Sequence, residues 1–211
     1  DLFDRETIDQ MADKFELLID TICDCATTNV MDISIFNQQE QARLKHQASI
    51  AYWKTQLLDA PAVHGLTLDH VRTPNHTYSD VCLTDKMNPE VAKAIEELAE
   101  AQDVSQFSIW HSALSLLLTR YSNSTDIVIG TPSSYADTKN LLSLRSNLNG
   151  IRTFGDYLAH IEEVNAQAQE HNDVAFAHLV DALSLDASSN QHPVFQIMLS
   201  LDGDLQHYSL D

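Results

Sequence analysis

Glycine is scarce in this chain. There are 5 in 211 residues, against about 15 at the usual frequency of roughly 7%. Tight turns and ligand-cradling loops use glycine for positive φ, so a loop-rich enzyme is disfavoured and a helical body is favoured. Cations are scarce too: Lys plus Arg number 12 against 31 Asp plus Glu, a net charge of −19. Nucleic-acid affinity rests on neutralising phosphates, and membrane-surface anchoring rests on polybasic clusters. Neither is expected as a partner. The 3 cysteines are an odd number and give no disulfide framework. Cys23 and Cys25 form a Cys-x-Cys pair, but no second pair with zinc-like spacing joins it. The expectation is reduced thiols in a cytoplasmic protein, with no metal. No apolar run reaches membrane-spanning length; the longest lies around Leu114 to Leu118. The opening Asp1-Leu2-Phe3-Asp4 lacks a signal-peptide pattern.

What is present suffices for a core. Hydrophobic residues make up 44% and charged ones 20%, which excludes a disordered acidic tail. Residues 5–22 read as an amphipathic helix, with Ile8, Met11, Phe15, Leu18, Ile19 and Ile22 at three- and four-residue spacing. Asp4 is its expected N-cap. Residues 23–37 read as linker. A second helix spans 38–58 and stops before Pro61. Residues 60–80 are irregular, and 81–85 read as a strand. Asn88-Pro89-Glu90 starts a third helix with proline in its first turn, running to Gln102. Residues 105–121 form a fourth, strongly apolar one. Ile127-Val128-Ile129, closed by Gly130, reads as a buried strand. Leu141 to Arg145 is another, followed by helices over 153–169 and 174–184. Strands are expected over 194–201 and 205–210. Helix pairs mixed with buried strands predict an α/β (α+β) sandwich, a mixed sheet covered by helices.

Few sequence patterns in the chain point to chemistry. The sequence has no glycine-rich phosphate loop, no Gly-x-Ser-x-Gly elbow and no HExxH helix. Glu96, Glu97 and Glu100 read as a solvated helix face. His64 and His70 read as surface imidazoles, and His111 as a hydrogen-bonded core or boundary histidine. His171, two residues before Asp173, has the spacing of an oriented base, but nothing local supplies its substrate proton, so the structural reading is preferred.

At residues 107–132 the pattern becomes specific. Phe107-Ser-Ile-Trp-His-Ser-Ala-Leu-Ser-Leu-Leu-Leu-Thr-Arg-Tyr-Ser122, followed by Asp126-Ile-Val-Ile-Gly-Thr-Pro132, resembles the condensation domains of nonribosomal peptide synthetases. Ala51-Tyr-Trp-Lys-Thr-Gln-Leu57 resembles that family's "AYWxxQL" helix. Val63 to His70 resembles the family's loop before the acceptor-side lobe, and Met31-Asp-Ile-Ser-Ile-Phe36 resembles a worn "YxDYAxW". Asn140 to Arg145 resembles the tail of "GxFVNTLxLR", and His171-Asn-Asp173-Val-Ala-Phe176 resembles "HQDxPFE". Pro193-Val-Phe195-Gln-Ile-Met198 resembles "RxxSxxPLFQ". The shared order covers nearly the whole chain.

This resemblance implies the C-terminal, acyltransferase-like lobe of a condensation domain over 38–211. Such domains form amide bonds between thioesters carried on phosphopantetheine arms. The implied partners are peptidyl carrier proteins, other synthetase domains and an N-terminal condensation lobe. Asn140, Arg145, His171 and Asp173 are carried over as channel-shaping or packing groups, and none as a catalytic base. The family's HHxxxDG signature, on the other lobe, is absent. Ala175, Ala177 and Ala187 stand where Pro, Glu and Arg are expected. Residues 1–22 resemble the family's last segment, "DLFDxxTIxxMxxxF", yet stand first. A permuted lobe, the end of one domain fused to part of the next, or a lobe with loops omitted would each give this order. A non-catalytic lobe that docks a carrier or synthetase partner is the alternative function. An unrelated acidic α/β scaffold is the third reading. An acidic chain facing acidic carriers would dock through apolar side chains and a few cations, such as Arg120 or Arg152.

Overall fold

The computed structural model describes residues 3–24, 38–61, 63–69, 82–135, 138–183 and 192–201. Its elements run α1 (Arg5–Asp24), α2 (Gln38–Gln56), α3 (Pro89–Gln102), α4 (Gln106–Ser122), β1 (Asp126–Tyr135), β2 (Thr138–Asn147), α5 (Phe154–Glu170) and α6 (Phe176–Ala182). Two compact units divide the chain, Asp1–Ala48 and Ser49–Asp211, with the boundary inside α2. In the first, α1 carries the periodic apolar stripe expected of it, and Ile8, Met11, Phe15, Ile19 and Ile22 on that stripe are exposed.

Three helices of the second unit, α3, α4 and α5, start where their capping residues stand. Asn88 accepts from the Glu90 amide at 2.9 Å, with Pro89 at the first helical position, where a missing N–H costs nothing. Ser105 caps α4 through the Ser108 amide. Thr153 caps α5 through the Asp156 amide. The shortage of glycine is met by other residues at the turns. Among the described residues, left-handed φ occurs at Asp59, Asp103 and Asn123 and, of the glycines, at Gly150. Asp and Asn are the side chains that tolerate this region best.

The β1–β2 hairpin is antiparallel, and its register places Ile129 opposite Leu144 and Thr131 opposite Leu142. The longer strands absorb the two short runs read from sequence. Leu142 and Leu144 pack with Val164 and Ala168 of α5, with Trp53 of α2 and with Leu57 in the turn after it. Ile127 and Ile129 pack with Leu118 of α4. Ala99, Ile109 and Leu158 form a smaller apolar cluster joining α3, α4 and α5. Side chains alternate along a strand, so Gly130 turns away from Ile129. It lies under the Phe195 ring: a Cβ at Gly130 would sit 2.2 Å from Phe195 Cε2.

Two expected strands do not form among the described residues. Residues 82–88 are irregular, and Leu83 is 93% exposed; a lone extended segment without a pairing neighbour has no ladder to hold it. Residues 194–201 reach β1 only at one parallel bridge, Gly130 with Met198, through Gly130 N–H to Ile197 O and Leu199 N–H to Gly130 O. The chain before the bridge is turned, since His192 Nδ1 accepts from the Phe195 amide at 3.3 Å. The last helix is also shorter than expected, Phe176–Ala182. Residues 25–37, most of the expected linker, and the strand over 205–210 lie outside the described residues. No helix among the described residues is long and apolar enough to cross a membrane.

Candidate functional site

Three of the four sequence-selected residues converge on the turn between α5 and α6, and the fourth stands at the opposite end of β2. Asn140, near the start of β2, is buried and uses both ends of its amide. Its Nδ2 donates to Asn172 O at 3.1 Å and Val174 O at 2.9 Å. Its Oδ1 accepts from the Leu141 amide at 2.9 Å and the Phe176 amide at 3.0 Å. The last bond has a local cause. The N-cap residue of α6 is Ala175, which makes no side-chain cap, and a helix start leaves its first amides unpartnered. Asn140 supplies the missing acceptor from the strand.

His171 and Asp173 lie on the same turn and are joined through α2. The Ser49 hydroxyl donates to Asp173 Oδ1 at 2.6 Å, and Ser49 Oγ lies 3.0 Å from His171 Nδ1. With the serine proton committed to the carboxylate, Nδ1–H of His171 donates to Ser49. The His171 ring stacks on Tyr52, with centroids 4.2 Å apart. Trp53 Nε1 donates to His171 O at 2.8 Å. Burial pushes the Tyr52 phenol up to about 12. The order Ser49, His171, Asp173 is not that of a nucleophilic triad. There the base accepts the serine proton, whereas here the carboxylate takes it and Ser49 is fully buried.

Arg145 acts as a strut. Its Nε and Nη2 donate to the two carboxylate oxygens of Asp126, at 2.9 and 2.7 Å, joining β2 to the first residue of β1. Its Nη1 donates to Gln56 O and Leu58 O, at 2.9 and 2.7 Å. These are carbonyls at the C-terminal end of α2, where unpaired acceptors and the helix dipole both favour a cation. The hydrogen bonds to Asp126 hold the guanidinium more firmly protonated than usual.

Sequence reading did not single out Ser49, Asp126 or the Gly130–Phe195 contact. Asp126 had a usable signal, an acid opening a strand that pairs with one carrying Arg145. Ser49 had none. His111 is fully buried and hydrogen-bonded to Asn165, a core histidine as its apolar surroundings implied. His64 departs from the expected surface imidazole. It is half-buried, its ring accepts from the Leu66 amide, and its own amide donates to Gln196 Oε1. His70 lies outside the described residues. Cys23 is exposed and free. Among the described residues, no group of three His, Cys, Asp or Glu side chains is placed to hold a metal.

The arrangement defines an α+β lobe whose motif residues brace a helix–turn–helix edge against a hairpin. Comparison with known proteins gives the family. The model of the condensation domain matches residues 38–210, and the chain belongs to that family. It is 34% identical over 161 residues to a dimodular nonribosomal peptide synthase of Bacillus subtilis (strain 168), covering 72% of this chain and 7% of that protein. It is 32% identical over 167 residues to malpinin synthetase of Mortierella alpina, covering 75% of this chain and 2% of the relative. Among solved structures, the fold is shared with the X-domain from teicoplanin biosynthesis, with a TM-score of 0.69, 24% identity, and coverage of 74% of this chain and 37% of that one. It is also shared with a four-domain nonribosomal peptide synthetase, with a TM-score of 0.70, 20% identity, and coverage of 92% and 16%. The chain thus spans a small part of the curated relatives it matches.

Proposed function

We propose that this chain contributes the C-terminal lobe of a nonribosomal peptide synthetase condensation domain, which joins a carrier-bound acyl donor to a carrier-bound amine as an amide. The family match over residues 38–210 carries this reading. Both thioesters would arrive on phosphopantetheine arms, so the arm is a substrate carrier here and not a resident cofactor. Catalysis would rest largely on positioning, which can remove about 7–11 kcal/mol of a bimolecular barrier. In this reading Asn140, His171 and Asp173 hold one edge of the lobe in shape and Arg145 holds the other. None of them is assigned as a base, and the reacting imidazole would come from an N-terminal lobe. Residues 1–22 are read as the end of a condensation domain, 23–37 as linker and 38–211 as the lobe. The start of the family match at Gln38 supports that division.

Carrier proteins are the proposed partners, together with other synthetase domains. Arg120 and Arg152 are exposed and would offer cations to an acidic carrier. The test combines the chain with an N-terminal condensation lobe and two aminoacyl-loaded carriers, and follows the thioester-bound dipeptide by mass spectrometry. Product only when the lobe is added is expected. Absence of product with a lobe active in its own domain, alongside undiminished carrier binding, would favour the docking-only alternative. Turnover by this chain alone would contradict the assignment of the imidazole to the other lobe. Arg120→Glu with Arg152→Glu should weaken carrier binding severalfold; unchanged affinity would remove those residues from the docking surface.

A further inference from the structure

Helices α4 and α5 are joined by a chain of side-chain hydrogen bonds that runs from the surface into the core. At its outer end, Glu162 Oε2 accepts from the Ser105 amide at 3.0 Å and lies 3.1 Å from Ser105 Oγ. Ser105 Oγ lies 2.9 Å from Ser108 Oγ. Asn165 Nδ2 donates to Ser108 Oγ at 2.6 Å, and Asn165 Oδ1 lies 2.8 Å from His111 Nδ1. Proton counting gives this chain one direction. A carboxylate only accepts, so the single hydroxyl proton of Ser105 goes to Glu162, and Ser108 donates to Ser105. Ser108 Oγ then receives the amide proton of Asn165. Asn165 Oδ1 is left facing His111, and Nδ1 must carry the imidazole proton. Nε2 is a bare lone pair, buried and with no hydrogen-bond partner among the described residues.

We propose that His111 is an acid-operated latch on the α4–α5 seam, closed while its ring is neutral in the Nδ1–H form and released when Nε2 takes up a proton. An added charge there has little to balance it. On α5 the titratable neighbours are His160, whose own charge would oppose a second one, Tyr157, bonded to Ser146 of β2, and Glu162, separated from the ring by Asn165 and two serines. α3 meets this region through Ile95, Leu98 and Ala99, and β1 meets α4 through Ile127 and Ile129, all apolar. Asp126 of β1 is committed to Arg145.

Burial is the largest cause that lowers the ring's pKa, to about 4. The Asn165 bond opposes that shift and His160 adds to it. With the folded value below the ordinary value of about 6.5, the latch is at full strength above pH 6.5. It weakens as pH falls toward 4, the open fraction growing about tenfold per pH unit within that window.

Two measurements on the whole chain test this. Imidazole ¹⁵N spectra at pH 7 should show His111 with a protonated Nδ1 and an unprotonated Nε2; the opposite tautomer would overturn the polarised chain. Amide-exchange protection factors in α4 and α5 should fall about tenfold per pH unit between pH 6.5 and 4, and His111→Gln should flatten that slope. A slope that survives His111→Gln would overturn the latch. If that variant does not fold, the ring signals of the natural chain decide. A neutral His111 at a pH where the α4–α5 amides already exchange freely would equally overturn it.

Discussion

Asn140 offers the sharpest test of how the lobe's edge is held. Asn140→Ala strips partners from two carbonyls, Asn172 O and Val174 O, and from the Phe176 amide that opens α6. Each buried group left unpaired costs about 1–3 kcal/mol, and less where water can reach it. Val174 O is the most enclosed of the three, so the whole loss should be about 3–5 kcal/mol. Asn140→Asp separates the roles of the two amide ends. It keeps an acceptor for the Leu141 and Phe176 amides but sets a carboxylate oxygen against two carbonyl oxygens. At pH 7 it should therefore be at least as damaging as alanine. The same oxygens favour the neutral acid, so the folded pKa of the new side chain should lie above the ordinary value of about 3.9. A group whose folded pKa is raised stabilises the fold at low pH and loses that contribution as pH rises through it. The aspartate variant should thus gain on the alanine variant as the solution is acidified. Urea unfolding can be followed by tryptophan fluorescence, since Trp53 is buried and bonded to the same turn at His171 O. A loss below about 1 kcal/mol for Asn140→Ala would mean that the turn holds itself, because one ordinary hydrogen bond is worth that much. An aspartate variant that tracks alanine at every pH would refute the proposed orientation of the amide.

Further predictions concern the strut and the hairpin. Arg145→Lys keeps the charge but cannot grip both Asp126 oxygens and the Gln56 and Leu58 carbonyls at once, so unfolding should need about 2 kcal/mol less, read from the urea midpoint. A midpoint equal to that of the natural chain would show that charge alone suffices. Gly130→Ala places a methyl inside the Phe195 ring and should cost about 3 kcal/mol. Adding Phe195→Leu should recover part of it, measured as a double-mutant coupling; strict additivity would count against the close contact. Cysteine-specific labelling of the native chain should modify Cys23 and Cys82 readily, both being exposed, and resistance of either to labelling would contradict that exposure.

The helices were largely legible because their signals are local. Asn88, Ser105 and Thr153 stand one residue before the helices they cap, and the spacing of Ile109, Leu118, Leu158 and Ile161 is visible in any window of a few turns. The strands were less so. Ile127-Val128-Ile129 and Leu141 to Arg145 are apolar enough to be seen as strands, but their lengths of ten residues each follow from pairing with one another. The runs at 81–85 and 194–201 have strand-like composition but no matching ladder among the described residues, beyond the single bridge at Gly130. For the site, motif resemblance picked out Asn140, Arg145, His171 and Asp173. It could not say that Ser49, 122 residues away from His171, ties two of them together.

The sequence by itself determined the acidic, helix-rich character of this protein, the start of α3 at Asn88-Pro89 and the condensation-family pattern over residues 31–202. These depend on neighbours a few residues apart, or on an order that can be read along the chain. Tertiary structure decided which polar groups meet. It set Asn140 as the cap that Ala175 lacks, made Arg145 the donor to the carbonyls at the end of α2 as well as the partner of Asp126, and gave His111 its buried acceptor. Each of those is a hydrogen bond between distant segments. Its geometry exists only once the apolar faces have packed, because packing brings the segments within reach and removes the water that would otherwise satisfy them.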